Sequence, residues 1–160
     1  MTDFFVSYNK ADAAWAEWIA WELEQAGHTV IIQAWDFRPG HNFVLEMHRA
    51  ATDARQIVAV LSPEYLSSGF ASSEWASAFA ADPTGTQRRL IPVRVRPCAV
   101  GGILGQVTYI DLVDKSDSDA RRALLDGVSP GRSKPSMSPT FPGLESAGKF
   151  RSPLALVVLG

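Results

Sequence analysis

Short, unbroken apolar runs rich in β-branched residues constrain the fold of this chain most strongly. The clearest run is QIVAVL at residues 56–61, and Ser62-Pro63 ends it. A run that is apolar on both sides of the backbone is typical of a strand buried on both faces of a parallel sheet. Further runs of this kind occupy residues 4–8, 29–33, 89–95 and 108–112. These five runs therefore predict five strands.

Helical patterns separate these runs. The predicted helices are residues 13–26, 43–54, 69–81 and 117–125, with Asp12, Asn42 and Ser68 as N-caps of the first three and Gly27 and Gly127 ending the first and last. Strands alternating with helices indicate a parallel sheet covered on both faces. The predicted fold class is α/β, a flavodoxin-like five-stranded parallel sheet. Within it, the proline and arginines of the fourth run place that strand nearer the edge than the third.

The first helix and the loop after the second strand carry most of the tryptophans. Trp15, Trp18 and Trp21 recur at helical spacing, which predicts that they belong to the core. Residues 34–42 (AWDFRPGHN) contain two aromatic residues, an arginine and a Pro-Gly turn signal. This segment is predicted to be a loop that presents its side chains.

Composition excludes several classes of function. Residues 1–128 carry 11 basic and 16 acidic residues, a formal charge of −5, which argues against a nucleic-acid ligand. One cysteine permits no internal disulfide, and three scattered histidines predict no metal site. No apolar stretch is long enough to span a bilayer, and the N-terminus does not resemble a signal peptide. A cytoplasmic protein without a membrane partner is therefore expected.

The last part of the chain has a different composition. Residues 129–160 hold half of the ten prolines and carry 4 basic residues against 1 acidic residue. This composition predicts a domain at 1–128 followed by a flexible Pro/Ser/Gly-rich tail or linker at 129–160. The final apolar run, residues 154–159, is one indication that a further domain follows.

Four segments in order resemble the Toll/interleukin-1 receptor (TIR) domain family over residues 3–128. They are FFVSYNKAD at 4–12 (its first box), WDFRPG at 35–40 (its BB loop), LSPEYLSS at 61–68 and SGFASSE at 68–74. The last is similar to the Ser-x-Trp-x-x-x-Glu motif that holds the catalytic glutamate of members that cleave NAD+. The absence of a membrane span and the turn DPTG at residues 82–85 make the chain look like a member of the bacterial branch of the family.

The resemblance implies that Glu74 is the catalytic residue. Cleavage of the nicotinamide–ribose bond develops positive charge on the ribose, and nicotinamide leaves as a neutral pyridine. One carboxylate opposing that charge therefore suffices. Phe70 stands where the motif has tryptophan, which keeps an aromatic surface but loses the indole N–H. An alignment anchored on Trp75 would instead put Phe79 at the acidic position and leave no catalyst, and the first register is preferred because it matches the serine, the aromatic residue and the acid together. Glu46 is the reserve acid.

The resemblance also implies substrate-binding residues. Asn9 and Lys10 match positions that contact the dinucleotide in NAD-cleaving relatives, and Arg38 matches a ligand-contacting BB-loop position. Ser7 can orient a ligand hydroxyl or satisfy strand-end backbone groups. Trp35 can stack on a ring or pack internally, and packing is favoured. Lys10 can equally be a solvated lysine, and Arg38 can equally face a protein partner.

Two functions remain open at this stage, and a third is disfavoured. The first is an NAD+ glycohydrolase or cyclase, active on self-assembly in signalling or defence, with NAD+ as substrate and no cofactor. The second is a non-catalytic adaptor acting through homotypic TIR–TIR contacts that include the BB loop. A phospho-receiver is disfavoured, because Ser7-Tyr8 and Ser62 stand where that chemistry needs acids. The product and the trigger for assembly are left open.

Overall fold

Five parallel strands form a single sheet. The computed structural model describes residues 1–67, 82, 85, 87–101 and 104–143. Its strands are β1 (Thr2–Ser7), β2 (Val30–Ile32), β3 (Ala54–Leu61), β4 (Leu90–Arg94) and β5 (Ile110–Asp111). They lie in the order β2-β1-β3-β4-β5, and each neighbouring pair is parallel. This is the flavodoxin-like order, so the predicted fold class is confirmed.

Helices cover both faces of the sheet. They are α1 (Ala13–Gln25), α2 (Gln33–Asp36), α3 (Phe43–Asp53), α4 (Pro63–Ser67) and α5 (Asp117–Val128), with 3₁₀ turns at Lys10–Asp12 and Leu104–Gln106. Helices α1 and α5 pack on one face, and α3 and the α4 residue Tyr65 pack on the other. The helix predicted at 69–81 lies outside the described residues.

The core is two layers, because alternate residues of each strand point to opposite faces. On β1, Phe4 and Val6 pack toward α1 and α5, whereas Phe5 packs toward α3. The central strand β3 is buried from Gln56 to Leu61. The predicted burial of the QIVAVL run on both faces is thus confirmed.

The helix ends differ from the sequence prediction in three places. Asp12 occupies the N-cap position of α1, as predicted, but its side chain makes no capping hydrogen bond. Gly127 does not end the last helix, because α5 continues through Val128. The predicted loop at 34–42 begins with the short helix α2, because the Asp36 carboxylate accepts a hydrogen bond from the Ile32 N–H at 2.8 Å.

The tryptophans of α1 are only partly core residues. Trp15 and Trp18 pack against the apolar layer beneath the helix and contact each other edge to face. Trp21 is 56% exposed, so its assignment to the core was wrong. Helical spacing put the three indoles on one broad face, but only Trp15 and Trp18 on that face pack against the core.

Pro92 lies inside β4, although proline usually disrupts an interior strand. The carbonyl of Arg89 and the N–H of Val95 bond toward β3, whereas the carbonyl of Arg94 bonds toward Leu112. By alternation, the nitrogen of Pro92 faces the β5 side. Strand β5 starts only at Ile110, opposite Val93, so the missing N–H interrupts no ladder bond. Strand β4 is nearer the edge than β3, as predicted.

The chain divides into two units, Met1–Ser129 and Pro130–Gly160. Within the second unit, the described residues 130–143 contain no helix or strand and are almost all exposed. The flexibility of the tail stays a prediction, and the apolar run at 154–159 lies outside the described residues. No helix in the described part of the chain combines the length and apolarity that crossing a bilayer requires.

Candidate active site

The carboxyl ends of β1 and β3 define the candidate site. The chain passes from β1 to one neighbour, β2, and later returns to the other neighbour, β3. In such sheets ligands bind in the crevice beyond the strand ends at this reversal. Strand β1 ends at Ser7, and β3 ends at Leu61. Of the predicted site residues, Ser7, Asn9 and Lys10 therefore belong to this edge.

Ser7 is buried at the crevice between β1 and β3. Its Oγ lies 3.0 Å from the hydroxyl of Tyr65, which is also buried and belongs to α4. This hydrogen bond joins the end of β1 to the helix that follows β3. Both predicted roles of Ser7, orienting a ligand hydroxyl and satisfying strand-end backbone groups, stay predictions; the contact described is with the Tyr65 hydroxyl.

Asn9 and Lys10 follow β1 directly and have different surroundings. The Asn9 side chain accepts a hydrogen bond from the Ala11 N–H at 2.9 Å, which caps the 3₁₀ turn Lys10–Asp12. Lys10 is exposed, and its ammonium makes no hydrogen bond or ion pair within the described residues. The turn thus holds the asparagine and presents the lysine to solvent at the sheet edge.

A partly buried ionic network, which the sequence did not reveal, lies beside these residues. The Asp12 side chain is only 1% exposed, and its carboxylate accepts hydrogen bonds from Arg96 Nε at 2.9 Å and from the Ser62 hydroxyl. A second guanidinium nitrogen of Arg96 pairs with Glu64 on α4. The bond to Asp12 is the main reason that the pKa of Arg96 is raised. Three strand ends meet in this network.

The loop after β2 forms the other side of the edge. Arg38 is exposed, and its guanidinium makes no hydrogen bond or ion pair within the described residues. Gly40 has φ +96°, a left-handed conformation that suits glycine in this turn. Trp35 is 36% exposed and donates its indole N–H to Glu17 on α1 at 3.0 Å. The indole is therefore partly exposed and hydrogen-bonded to α1. The internal packing that the sequence favoured for Trp35 is observed only in part.

Tyr8 links the two sides of this edge. Its side chain packs against the core, and burial is the main cause of its raised pKa, opposed by a hydrogen bond with the backbone of Ala34. Since Ala34 belongs to α2, this contact ties the end of β1 to the loop that carries Trp35 and Arg38. A tyrosine kept protonated is a stable hydrogen-bond partner at neutral pH.

An exposed apolar surface adjoins the loop at the start of α3. Val44 and Leu45 are 65% and 57% exposed, and Phe43 is also exposed. Phe43 contacts Phe37 edge to face, with ring centroids 6.0 Å apart. The predicted apolar stripe of this helix is thus buried at Met47, Ala50, Ala51 and Ala54 but not at Phe43. Contiguous exposed apolar side chains of this kind mark contact surfaces.

Two predicted site residues fall outside the described part of the chain. Glu74, the predicted catalytic acid, and Phe70, the predicted aromatic platform, both lie in the segment 68–81. Their roles stay predictions. The reserve acid, Glu46, is on α3 and pairs with Arg49 at 2.8 Å.

A cavity of about 700 Å³ lies elsewhere, at the amino end of the sheet. Arg88, Leu90, Tyr109 and Ile110 are among the residues that line it. Because β4 and β5 start there, the cavity is at the opposite edge from Ser7 and Lys10. Within the described residues, no group of three histidine, cysteine or acidic side chains is arranged to hold a metal ion.

The sheet order and the crevice define a doubly wound, flavodoxin-like α/β protein whose polar edge joins β1, β2 and β3. A family model described as "TIR domain" matches residues 4–125. The chain therefore belongs to the TIR domain family. No curated protein sequence matches it significantly.

Solved TIR structures resemble the fold. The TIR domain of the Toll-related receptor TRR-2 from Hydra magnipapillata is 23% identical, with a TM-score of 0.64 over 78% of this chain and 93% of that one. A metazoan TIR-STING receptor from C. gigas, in complex with 2',3'-cGAMP, is 26% identical, with a TM-score of 0.62 over 78% of this chain and 39% of that one. The TIR domains of the activated Roq1 resistosome, which directly recognizes the pathogen effector XopQ, are 15% identical, with a TM-score of 0.59 over 78% of this chain and 96% of that one. The first and third likenesses show the fold alone.

Proposed function

We propose that this TIR domain cleaves the nicotinamide–ribose bond of NAD+, giving nicotinamide and ADP-ribose or a cyclic form. The observation that carries the proposal is a pair of exposed cations, Lys10 and Arg38, without partners in the described residues. They follow adjacent strands, β1 and β2, at the edge where sheets of this order bind ligands. Most other basic side chains of this acidic domain bind carboxylates or backbone carbonyls. Two cations at one edge, without partners among the described residues, can bind the two negative phosphates of a pyrophosphate.

In the proposed mechanism, Glu74 opposes the charge that develops on the ribose. The bond between the anomeric carbon and the pyridine nitrogen breaks, and its electron pair leaves with nicotinamide. Water then attacks the anomeric carbon and loses a proton, or an atom of the substrate itself attacks and closes a ring. Lys10 meets the pyrophosphate as a point charge, and Arg38 binds it through its planar fork. Phe70 and Trp35 supply aromatic surfaces.

Nicotinamide release from NAD+ by concentrated protein tests this function. Glu74→Ala is expected to lower the rate by about a hundredfold or more, the usual effect of losing one charge-stabilising group. Glu24→Ala is the matched control, because Glu24 is an exposed acid in the last turn of α1. An unchanged rate in Glu74→Ala, with a loss in Glu46→Ala, would transfer the catalytic role to Glu46. An unchanged rate in both variants would exclude both acids.

A second function, a non-catalytic adaptor, is favoured by the apolar surface of Phe43, Val44 and Leu45. This surface adjoins the loop that carries Arg38, so it suits homotypic assembly through that loop. Assembly and catalysis are compatible, and we propose that cleavage in signalling or defence, as in the bacterial branch, depends on it. Self-association without nicotinamide release, at any concentration and with crowding, would leave the adaptor function alone.

A further inference from the structure

The network around Asp12 shows a carboxylate in an unusual position. Asp12 occupies the residue before α1, where an aspartate normally caps the helix, yet it makes no capping bond. Its carboxylate is instead buried against Ser62 and Arg96. Removing a carboxylate from water is costly unless it is paired and hydrogen-bonded. Both oxygens of Asp12 meet that requirement, and each is bound to a residue at a different strand end.

The first branch of the network leads from Asp12 to β3 and α4. The Ser62 hydroxyl donates to Asp12, so its lone pairs are available to accept the Tyr65 N–H at 3.1 Å. The Leu66 N–H bonds the Ser62 carbonyl at 3.0 Å, which closes the first turn of α4. Tyr65 then reaches back to Ser7 through its hydroxyl. Asp12 thereby orients the group that begins α4 and the tyrosine that contacts the end of β1.

The second branch leads from Asp12 to the end of β4. Arg96 lies two residues beyond β4 and joins Asp12 to Glu64 of α4. Its side chain is 37% exposed, so the pair borders the surface rather than the deep core. Because the planar fork of arginine fixes the direction of both bonds, a lysine would not reproduce this geometry.

The same aspartate ends the turn that carries two predicted substrate contacts. The Asp12 N–H bonds the Asn9 carbonyl at 2.8 Å, and the Ala11 N–H bonds the Asn9 side chain. Lys10 lies between Asn9 and Ala11, and the buried carboxylate of Asp12 anchors the turn at the end away from β1. A loss of the anchor frees the turn without touching Lys10 itself.

We infer that Asp12 is a positioning residue that holds the Asn9–Asp12 turn against the β3–α4 junction and so sets the affinity of the crevice for a dinucleotide. The inference rests on the proposed function for its ligand, but not for its geometry. It requires Asp12→Asn to weaken substrate binding more than it slows bond cleavage. If Asp12 only stabilised the whole fold, Asp12→Asn would change neither KM nor kcat of the protein that remains folded.

Two measurements on Asp12→Asn test this inference. Amide hydrogen exchange is expected to accelerate at least about tenfold at Ala11 and Tyr65, with little change at Leu124 in α5, because local opening involves only the anchored turns. In the nicotinamide assay, KM is expected to rise about tenfold with kcat within about twofold. Asp111→Asn is the control, because it breaks another arginine–aspartate pair, with Arg94 at 2.8 Å, between β4 and β5, although Asp111 is more exposed than Asp12.

The outcomes separate the inference from the proposed function. Unchanged exchange at Ala11 and Tyr65, or an equal KM rise in Asp111→Asn, overturns the inference. A fall in kcat at constant KM also overturns it. If the wild-type protein releases no nicotinamide, the proposed function fails, and the exchange rates alone decide the geometry. If Asp12→Asn does not fold, Ser62→Ala, which removes one of the two donors to Asp12 but keeps the Asp12–Arg96 pair, gives the readout at Ala11.

Discussion

Replacing Gly127 with alanine tests how closely α5 approaches the sheet. Glycine inside a helix is unfavourable by about 1 kcal/mol relative to alanine, so the substitution would ordinarily stabilise the protein. Here a Cβ at position 127 would lie 2.5 Å from Cγ1 of Ile110, a distance that real Cβ atoms do not reach. Overpacking of this kind costs about 1–3 kcal/mol. The net expectation is a destabilisation of about 1 kcal/mol.

Truncating Ile110 is expected to reverse the effect of Gly127→Ala on stability. The Cβ of Ile110 itself would lie 3.7 Å from the new methyl group, an ordinary contact. In an Ile110→Ala background the clashing atoms are gone, so Gly127→Ala is expected to stabilise by about 0.5–1 kcal/mol through helix propensity and reduced freedom of the unfolded chain. Ile110 borders the cavity at the amino end of the sheet, and its side chain can relieve part of the overlap by turning toward it.

Urea unfolding of the four proteins in this cycle measures the effect. The midpoint is expected to fall in Gly127→Ala and to rise when the same change is made in the Ile110→Ala background, with similar slopes. A melting temperature lower by about 3 °C would accompany the single change. Stabilisation of the wild-type background by Gly127→Ala would refute the reasoning, since it would mean that α5 and β5 are not packed this closely.

Two further predictions concern a charged side chain and a helix cap. The pKa of Asp3 is lowered, first by the Thr29 backbone N–H and also by Arg55. Asp3 therefore stabilises the folded protein above its unfolded pKa, and this contribution is lost as pH falls through its folded pKa. Asp3→Asn should cost about 1 kcal/mol at pH 7 and less as pH falls through the folded pKa of Asp3, measured by urea midpoints across pH; a cost that does not fall with pH would contradict this. Asn42→Ala should cost about 1 kcal/mol, because the Asn42 side chain caps α3 through the Leu45 N–H at 3.0 Å, whereas Asn42→Asp should retain stability in the same assay. Equal midpoints for both Asn42 variants would argue against the cap.

The strands and most helices were predictable because their signals are local. The QIVAVL run of β3 is apolar whichever way its side chains point, which only a doubly covered strand tolerates. Asn42 and the apolar residues behind it defined the start of α3 within the sequence itself. Gly127 misled the prediction, because glycine near a helix end resembles a stop signal; its actual role is close contact with Ile110, seventeen positions earlier in the chain.

The sequence by itself determined the parallel sheet, the family and the polar residues that follow β1 and β2. These features depend on periodicity and on short motifs, which are recognised from residues that are close together in the chain. Only the tertiary structure decided that Asp12 binds Ser62 and Arg96 instead of capping α1. The physical reason is that a carboxylate takes whichever donors the fold brings to it, and these donors come from strand ends 50 and 84 residues away.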